Sequence, residues 1–170
     1  RFTLGEIYES RAIYAFYKDD LDKAIAEMKK IPLESQQVYD EQAEKMVSKQ
    51  LKLSESSLPA NPFNGFIQDC HDCEHAKKRS PYTKISFLQK VKEMEEKLAK
   101  GEDMYNNALL LGNAFYSASY FGNSRAFYYN DILGETGGFF VNEQNSAMLL
   151  SMTHAKKYYL IAQQHASTDE

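Results

Sequence analysis

The stretch from Met104 to Tyr129, MYNNALLLGNAFYSASYFGNSRAFYY, constrains this chain more than any other. Ala108, Leu111, Phe115 and Ala118 recur at steps of three and four, so they share one face of a helix. Gly112 lies among them, and a glycine inside a helix costs about 1 kcal/mol relative to Ala. A helix that carries this cost usually has another backbone close by. Gly122 and Asn123 suit a turn, and Asn123 or Ser124 can cap a following helix. Ser124, Phe127 and Tyr128 would continue the apolar face. The stretch therefore predicts two short helices packed back to back, on which the remaining helices stack.

These residues resemble the tetratricopeptide repeat, a helix–turn–helix unit of about 34 residues with a Leu-Gly-x-x-Tyr and Ala-x-x-x-Phe pattern. Leu111-Gly112 and Phe115 match the first helix. Phe121 matches the turn aromatic, Ser124 the small crossing residue and Tyr128 the later aromatic. Asp131 departs from the Ala of the family, and no proline closes the unit. Two partial matches flank this one. Leu21 and Ala24 in Asp-Asp-Leu-Asp-Lys-Ala-Ile stand for the turn and second helix of a repeat, and Ala155, Tyr158, Tyr159 and Ala162 stand for another second helix. An ordinary antiparallel helix pair is the alternative reading.

The resemblance implies an all-α fold: an irregular, TPR-like antiparallel stack of helix hairpins, an α-solenoid fragment with a long Cys-containing loop. It also implies a scaffold that binds protein or peptide and has no catalytic activity of its own. Carried over residue by residue, the inward, partner-facing positions are Asn106, Leu109, Asn113, Tyr116 and Ser117. A carboxamide both donates and accepts, which suits Asn113 to a ligand backbone or, equally, to a bond within the stack. The family's carboxylate-gripping form needs a lysine four residues on, where this chain has Ser117. Residues 69–129 also resemble uncharacterised bacterial repeat proteins of the cell envelope, in which a Cys-His-Asp-Cys-like word precedes a Tyr-Thr-Lys helix, matched here by Tyr82-Thr83-Lys84.

A length of 170 residues fits a single domain over 1–170, able to bury roughly 70% of its unfolded surface. With 43% hydrophobic and 26% charged residues the composition is that of a globular protein. A net charge of −4 offers no basic footprint for nucleic acid, and no apolar run approaches a membrane span. Position 1 is Arg and no leader-like segment follows it, so the chain is expected to be part of a longer or processed one. Residues 105–170 hold only eight Asp, Glu, Lys or Arg but twelve of the 22 Phe and Tyr. A helical tract so poor in charge must cover more than one face, either in stacking or as an aromatic groove for a partner.

Elsewhere, periodicity predicts helices over Phe2–Tyr17, Leu21–Ile31, Ser35–Leu51 and Thr83–Lys100, and a last one from Asn145 or Ser146 to His165. Asp20 can cap the second, and Pro32 stops it. Residues 53–82 read as a loop or insertion, with Phe63, Phe66 and Ile67 pinning it to the core. Gly134–Asn142 reads as a Gly-rich turn, with Phe139-Phe140-Val141 as a brief extended piece.

Cys70-His71-Asp72-Cys73-Glu74-His75 is the one constellation that could carry chemistry. Cys70 and Cys73 with His75 can grip one face of a Zn²⁺ ion, although no second ligand pair stands elsewhere in the sequence. A thioredoxin-like redox pair would need a strand before it and a helix opening at it. Glu74 occupies the place where a c-type haem needs His. A local disulfide or two free thiols tying down the loop is the remaining reading. A metal- or redox-active domain centred here is the alternative to the scaffold. The Lys77-Lys78-Arg79 triplet reads as a solvated loop, and His154 as a satisfied side chain.

Overall fold

The computed structural model describes residues 2–40, 44–58, 60–64, 81–133 and 143–167. The chain is mostly helical, with one two-stranded sheet. Helix α1 spans Leu4–Tyr17 and α2 Leu21–Lys29, followed by β1 (Glu34–Asp40) and β2 (Lys45–Leu51). Then come α3 (Lys84–Ala99), α4 (Met104–Ser117), α5 (Glu143–Leu149) and α6 (Thr153–His165). Helices α1 and α2 pack as neighbours, α3 links α2 to α4, and α4 packs most extensively with α6.

Local chemistry sets the ends of the helices. Thr3 caps α1 reciprocally with Glu6. The Glu34 carboxylate, arriving from β1, accepts the Gly5 N–H at 3.0 Å, which suits an anion at a helix N-terminus. A Cβ at Gly5 would stand 2.6 Å from that carboxylate. The Asp20 side chain accepts the Lys23 N–H at 3.1 Å and starts α2. Thr83 and Ser86 cap α3, and Gly101, at φ +75°, turns the chain out of it.

The centre is aromatic. The Phe16 ring on α1 stacks on Phe115 of α4 at 4.7 Å and meets Phe127 at 4.9 Å and Phe87 of α3 at 5.6 Å. Each fully buried ring of this kind contributes about 2–3 kcal/mol of apolar transfer energy. The stripe expected on α4 is buried as a set: Ala108, Leu111, Phe115 and Ala118.

Three expectations fail. Residues 35–51 form the antiparallel β1–β2 hairpin and not a helix, with Val38 opposite Val47 and Tyr39 opposite Met46. Val38 and Val47, which the helical reading places on one apolar face, stand in register on opposite strands, and Glu44 takes a positive φ of 48°. The second helix of the organising stretch is also absent. After α4 the chain doubles back, with the Ser124 N–H bonded to the Ser117 carbonyl at 2.9 Å, and makes only a short 3₁₀ turn over Arg125–Phe127. The turn is so tight that a Cβ at Gly122 would stand 2.3 Å from the Ser117 oxygen. Ser124, Phe127 and Tyr128 are buried as expected, but on this turn. The long last helix is broken into α5 and α6. The Leu149 carbonyl accepts the Tyr120 N–H at 3.0 Å, and the Ser151 hydroxyl accepts the Thr153 N–H at 3.3 Å, so the helical ladder stops and restarts.

Part of the expected 53–82 loop is ordered by the start of α3. Ser57 bridges to Thr83, and the Leu58 N–H bonds the Tyr82 carbonyl at 2.9 Å. Leu58 and Phe63 join the core. Phe66, Ile67 and the expected Phe139-Phe140-Val141 piece lie outside the described residues.

Candidate partner-binding groove

Helices α4 and α6 lie against each other, and a groove of about 580 Å³ opens along the pair. Tyr116 lines it from α4. Met152, just before α6, and Lys156, Tyr159, Leu160 and Gln163 line it from the other side, over the buried Ala155. These residues recur at helical spacing and form a second face, roughly a third of a turn round the helix from the core face of Ala155, Tyr158 and Ala162. Leu160 is 46% exposed. Lys156 is the single charged residue of the lining and forms no ion pair among the described residues. Its neighbour Lys157 is paired with Asp19 at 3.3 Å.

Gly112 makes the close approach of the two helices possible. The Tyr159 ring lies on it, so that a Cβ there would sit 2.5 Å from the ring. The expected partner of this glycine was a backbone; the actual one is an aromatic ring from α6. The Tyr159 hydroxyl then donates to the Asn113 Oδ1 at 2.9 Å, and the Asn113 Nδ2 donates to the Phe63 carbonyl at 3.1 Å. Burial, and then the neighbouring Tyr116 phenol, push the Tyr159 hydroxyl above its ordinary value, so it remains a donor at neutral pH.

The five inward positions thus separate. Tyr116 lines the groove. Asn113 is buried with donor and acceptor both engaged inside the protein. Ser117 is buried beneath the turn. Asn106 is exposed, its amide bonded to Asp103 at 2.9 Å, and Leu109 is half-buried. On the groove's α6 side the sequence singles out Ala155 and Tyr159, as part of a repeat's second helix and not as a partner site, and passes over Lys156, Leu160 and Gln163. The signal that could have found them is the charge-poor tract, in which one helix carries two apolar faces.

A second polar group gathers where α1, α3 and α6 meet. His154 leans on the Phe115 ring at 5.0 Å, its Nε2 lies 3.2 Å from the Tyr17 carbonyl, and its Nδ1 lies 4.0 Å from Asp19. The Tyr158 hydroxyl donates to Glu95. Burial raises the Glu95 carboxyl, and burial followed by Glu95 itself raises the Tyr158 hydroxyl. Both imidazole nitrogens face protein atoms, so the cluster braces α6 against the α1–α2 turn and presents no ring nitrogen to a substrate. Deeper still, Lys84 meets Glu9 at 2.8 Å, with both side chains buried.

Cys70, Cys73 and His75, with the Zn²⁺ reading that rests on them, and Lys77-Lys78-Arg79 lie outside the described residues. Among the described residues no group of three or more His, Cys, Asp or Glu could hold a metal ion, and no helix is long and apolar enough to cross a membrane. Comparison with protein-family models, with curated proteins and with solved structures finds no match.

Proposed function

We propose that this chain is a TPR-like helical scaffold module that binds a protein or peptide partner and performs no chemistry of its own, and that the partner docks on the α4–α6 groove. The observation that carries this reading is the groove itself: an open, almost wholly apolar channel along two packed helices, with Leu160 exposed in it and one cation, Lys156, at its side. Apolar side chains gathered in a concave surface, with a few polar groups to orient a ligand, are what a recognition site requires. The family resemblance rests on the Leu111-Gly112-x-x-Phe115 word of α4 alone, since the chain makes only a 3₁₀ turn where a repeat's second helix would follow.

Selection from a displayed library of random peptides, each about 16 residues or roughly four helical turns long, tests the proposal. Wild-type protein is expected to enrich peptides that lose binding to Leu160→Glu, a change at an exposed site that should leave the melting temperature near that of wild type. Enrichment only of peptides indifferent to Leu160→Glu, or no enrichment, would overturn it.

A further inference from the structure

We infer that the groove takes an amphipathic α-helix of a partner protein, laid with its apolar face on Met152, Tyr159 and Leu160 and an acidic side chain against Lys156. This rests on the partner-binding reading and names the partner's form and charge.

The form follows from hydrogen-bond supply. An extended peptide brings an N–H and a C=O at every residue, and each one buried without a partner costs about 1–3 kcal/mol. The walls are two helices whose main-chain groups bond within their own ladders, and the groove offers no strand edge for a peptide to join. Of the polar side-chain atoms in the lining, the Tyr159 hydroxyl is committed to Asn113. What remains, the Tyr116 hydroxyl with Lys156 and Gln163, cannot serve a peptide backbone several residues long. A helix satisfies its own main chain and needs only an apolar face. The lining from Met152 to Gln163 extends roughly 16 Å along the α6 axis, room for about three helical turns and thus for anchors at i, i+3 or i+4, and i+7.

The charge follows from Lys156. It stands on the stripe between Met152 and Leu160, as the single charge of the lining and without an ion-pair partner among the described residues. A carboxylate on the incoming helix would meet it in a partly desolvated setting, where such a pair sets register and orientation more than affinity.

The peptides selected for dependence on Leu160 decide the matter. Their sequences are expected to carry apolar residues at i, i+3 or i+4, and i+7 with an acidic residue beside them. A single proline in the middle should weaken binding by about a hundredfold or more. Lys156→Glu should weaken binding about threefold to tenfold, and exchange of the peptide's acidic residue for lysine should restore it. Leu160-dependent peptides that tolerate proline and lack the helical spacing would overturn the helical occupant while leaving the groove a binding site. Indifference to Lys156→Glu would overturn the acidic contact. Sedimentation that finds a wild-type dimer converted to monomer by Leu160→Glu would make the occupant a second copy of this chain and overturn the foreign partner.

Discussion

The Tyr159 ring lies directly on the main chain at Gly112, close enough that a β-carbon there would fall 2.5 Å from Cδ1 and 3.1 Å from Cγ. Those atoms belong to the inner part of the ring and cannot swing away without moving the whole side chain. Two effects oppose each other in Gly112→Ala. Alanine favours the helix by about 1 kcal/mol. Displacing Tyr159 costs about 1–3 kcal/mol of overpacking and strips the buried Asn113 oxygen of its donor, about 1–3 kcal/mol more. The clash wins, so Gly112→Ala should destabilise the protein by about 1–5 kcal/mol in urea unfolding and reshape the groove. A stabilised variant would show that α6 does not press on α4 there.

Asn113 and Tyr159 should behave as an energetic pair. Asn113→Ala removes the acceptor of the Tyr159 hydroxyl and the donor to the Phe63 carbonyl, at a cost of about 1–3 kcal/mol. Tyr159→Phe removes only one bond and should cost less. In a double-mutant cycle the two losses should fall short of additivity by about 0.5–1.5 kcal/mol. Additive losses would mean the bond is not made in solution. Asn113→Ala should lower the melting temperature while groove-dependent peptides bind it within a few-fold of wild type, because its amide is turned inward.

Much of the helical frame was legible in the sequence, for physical reasons that differ by element. Thr83, Asp20 and the Lys100-Gly101 pair mark helix ends through local hydrogen bonds and backbone preferences that a short window contains. The stripe Ala108–Leu111–Phe115–Ala118 is strictly periodic, and its burial follows. The failures turn in part on partners distant in the chain. Whether Val38 and Val47 share a helix face or pair across strands is decided by the hairpin register and by Glu34 reaching Gly5. The helix expected after Gly122 is lost because the chain turns back onto Ser117 and Ser124 Oγ reaches the Ala60 carbonyl at 3.2 Å. Of the candidate site, Tyr116 and the role of Gly112 as a point of close approach could be read, but not the helix that approaches. That helix, α6, begins about 40 residues further on, and no local pattern says which earlier helix it will cover.

The Lys84–Glu9 pair is held in the interior by more than its own contact. The Lys84 ammonium also donates to the Tyr129 carbonyl at 3.3 Å, and the second Glu9 oxygen accepts from Asn130 at 2.7 Å. With both side chains under a tenth exposed, removal of one partner leaves a buried charge. Lys84→Met should therefore cost about 3–5 kcal/mol. The double variant Glu9→Leu with Lys84→Met should recover most of that loss, because two apolar side chains carry no desolvation penalty. Asn130 keeps its bond to the Glu6 carbonyl in either case. Chemical denaturation of the single and double variants checks the ordering, and a double variant weaker than Lys84→Met would contradict it.

Glu95 should give the stability a measurable pH dependence. Burial holds its folded carboxyl above the ordinary value of 4.5, against the Tyr158 hydrogen bond that pulls it down and with Asp19 pushing it further up. A carboxyl raised on folding contributes stability that is fully present below the unfolded value and is lost as pH rises through the folded one. At neutral pH the ionised Glu95 thus costs stability that its protonated form does not. Glu95→Gln keeps an acceptor for the Tyr158 hydroxyl and removes the charge. It should be more stable than wild type at pH 7 by about 0.5–1 kcal/mol, a figure kept small because the group is only partly buried, and the advantage should shrink toward pH 4. Glu93 runs the other way. Hydrogen bonds from Lys97 and then Lys90 bring its carboxyl down to about 2, so its contribution is present at neutral pH and fades as pH falls. Subtracting wild type from Glu95→Gln at each pH cancels the Glu93 contribution, and urea midpoints at pH 4, 5.5 and 7 isolate Glu95. A difference that stays constant with pH, or grows on acidification, would show that Glu95 is not raised by its site.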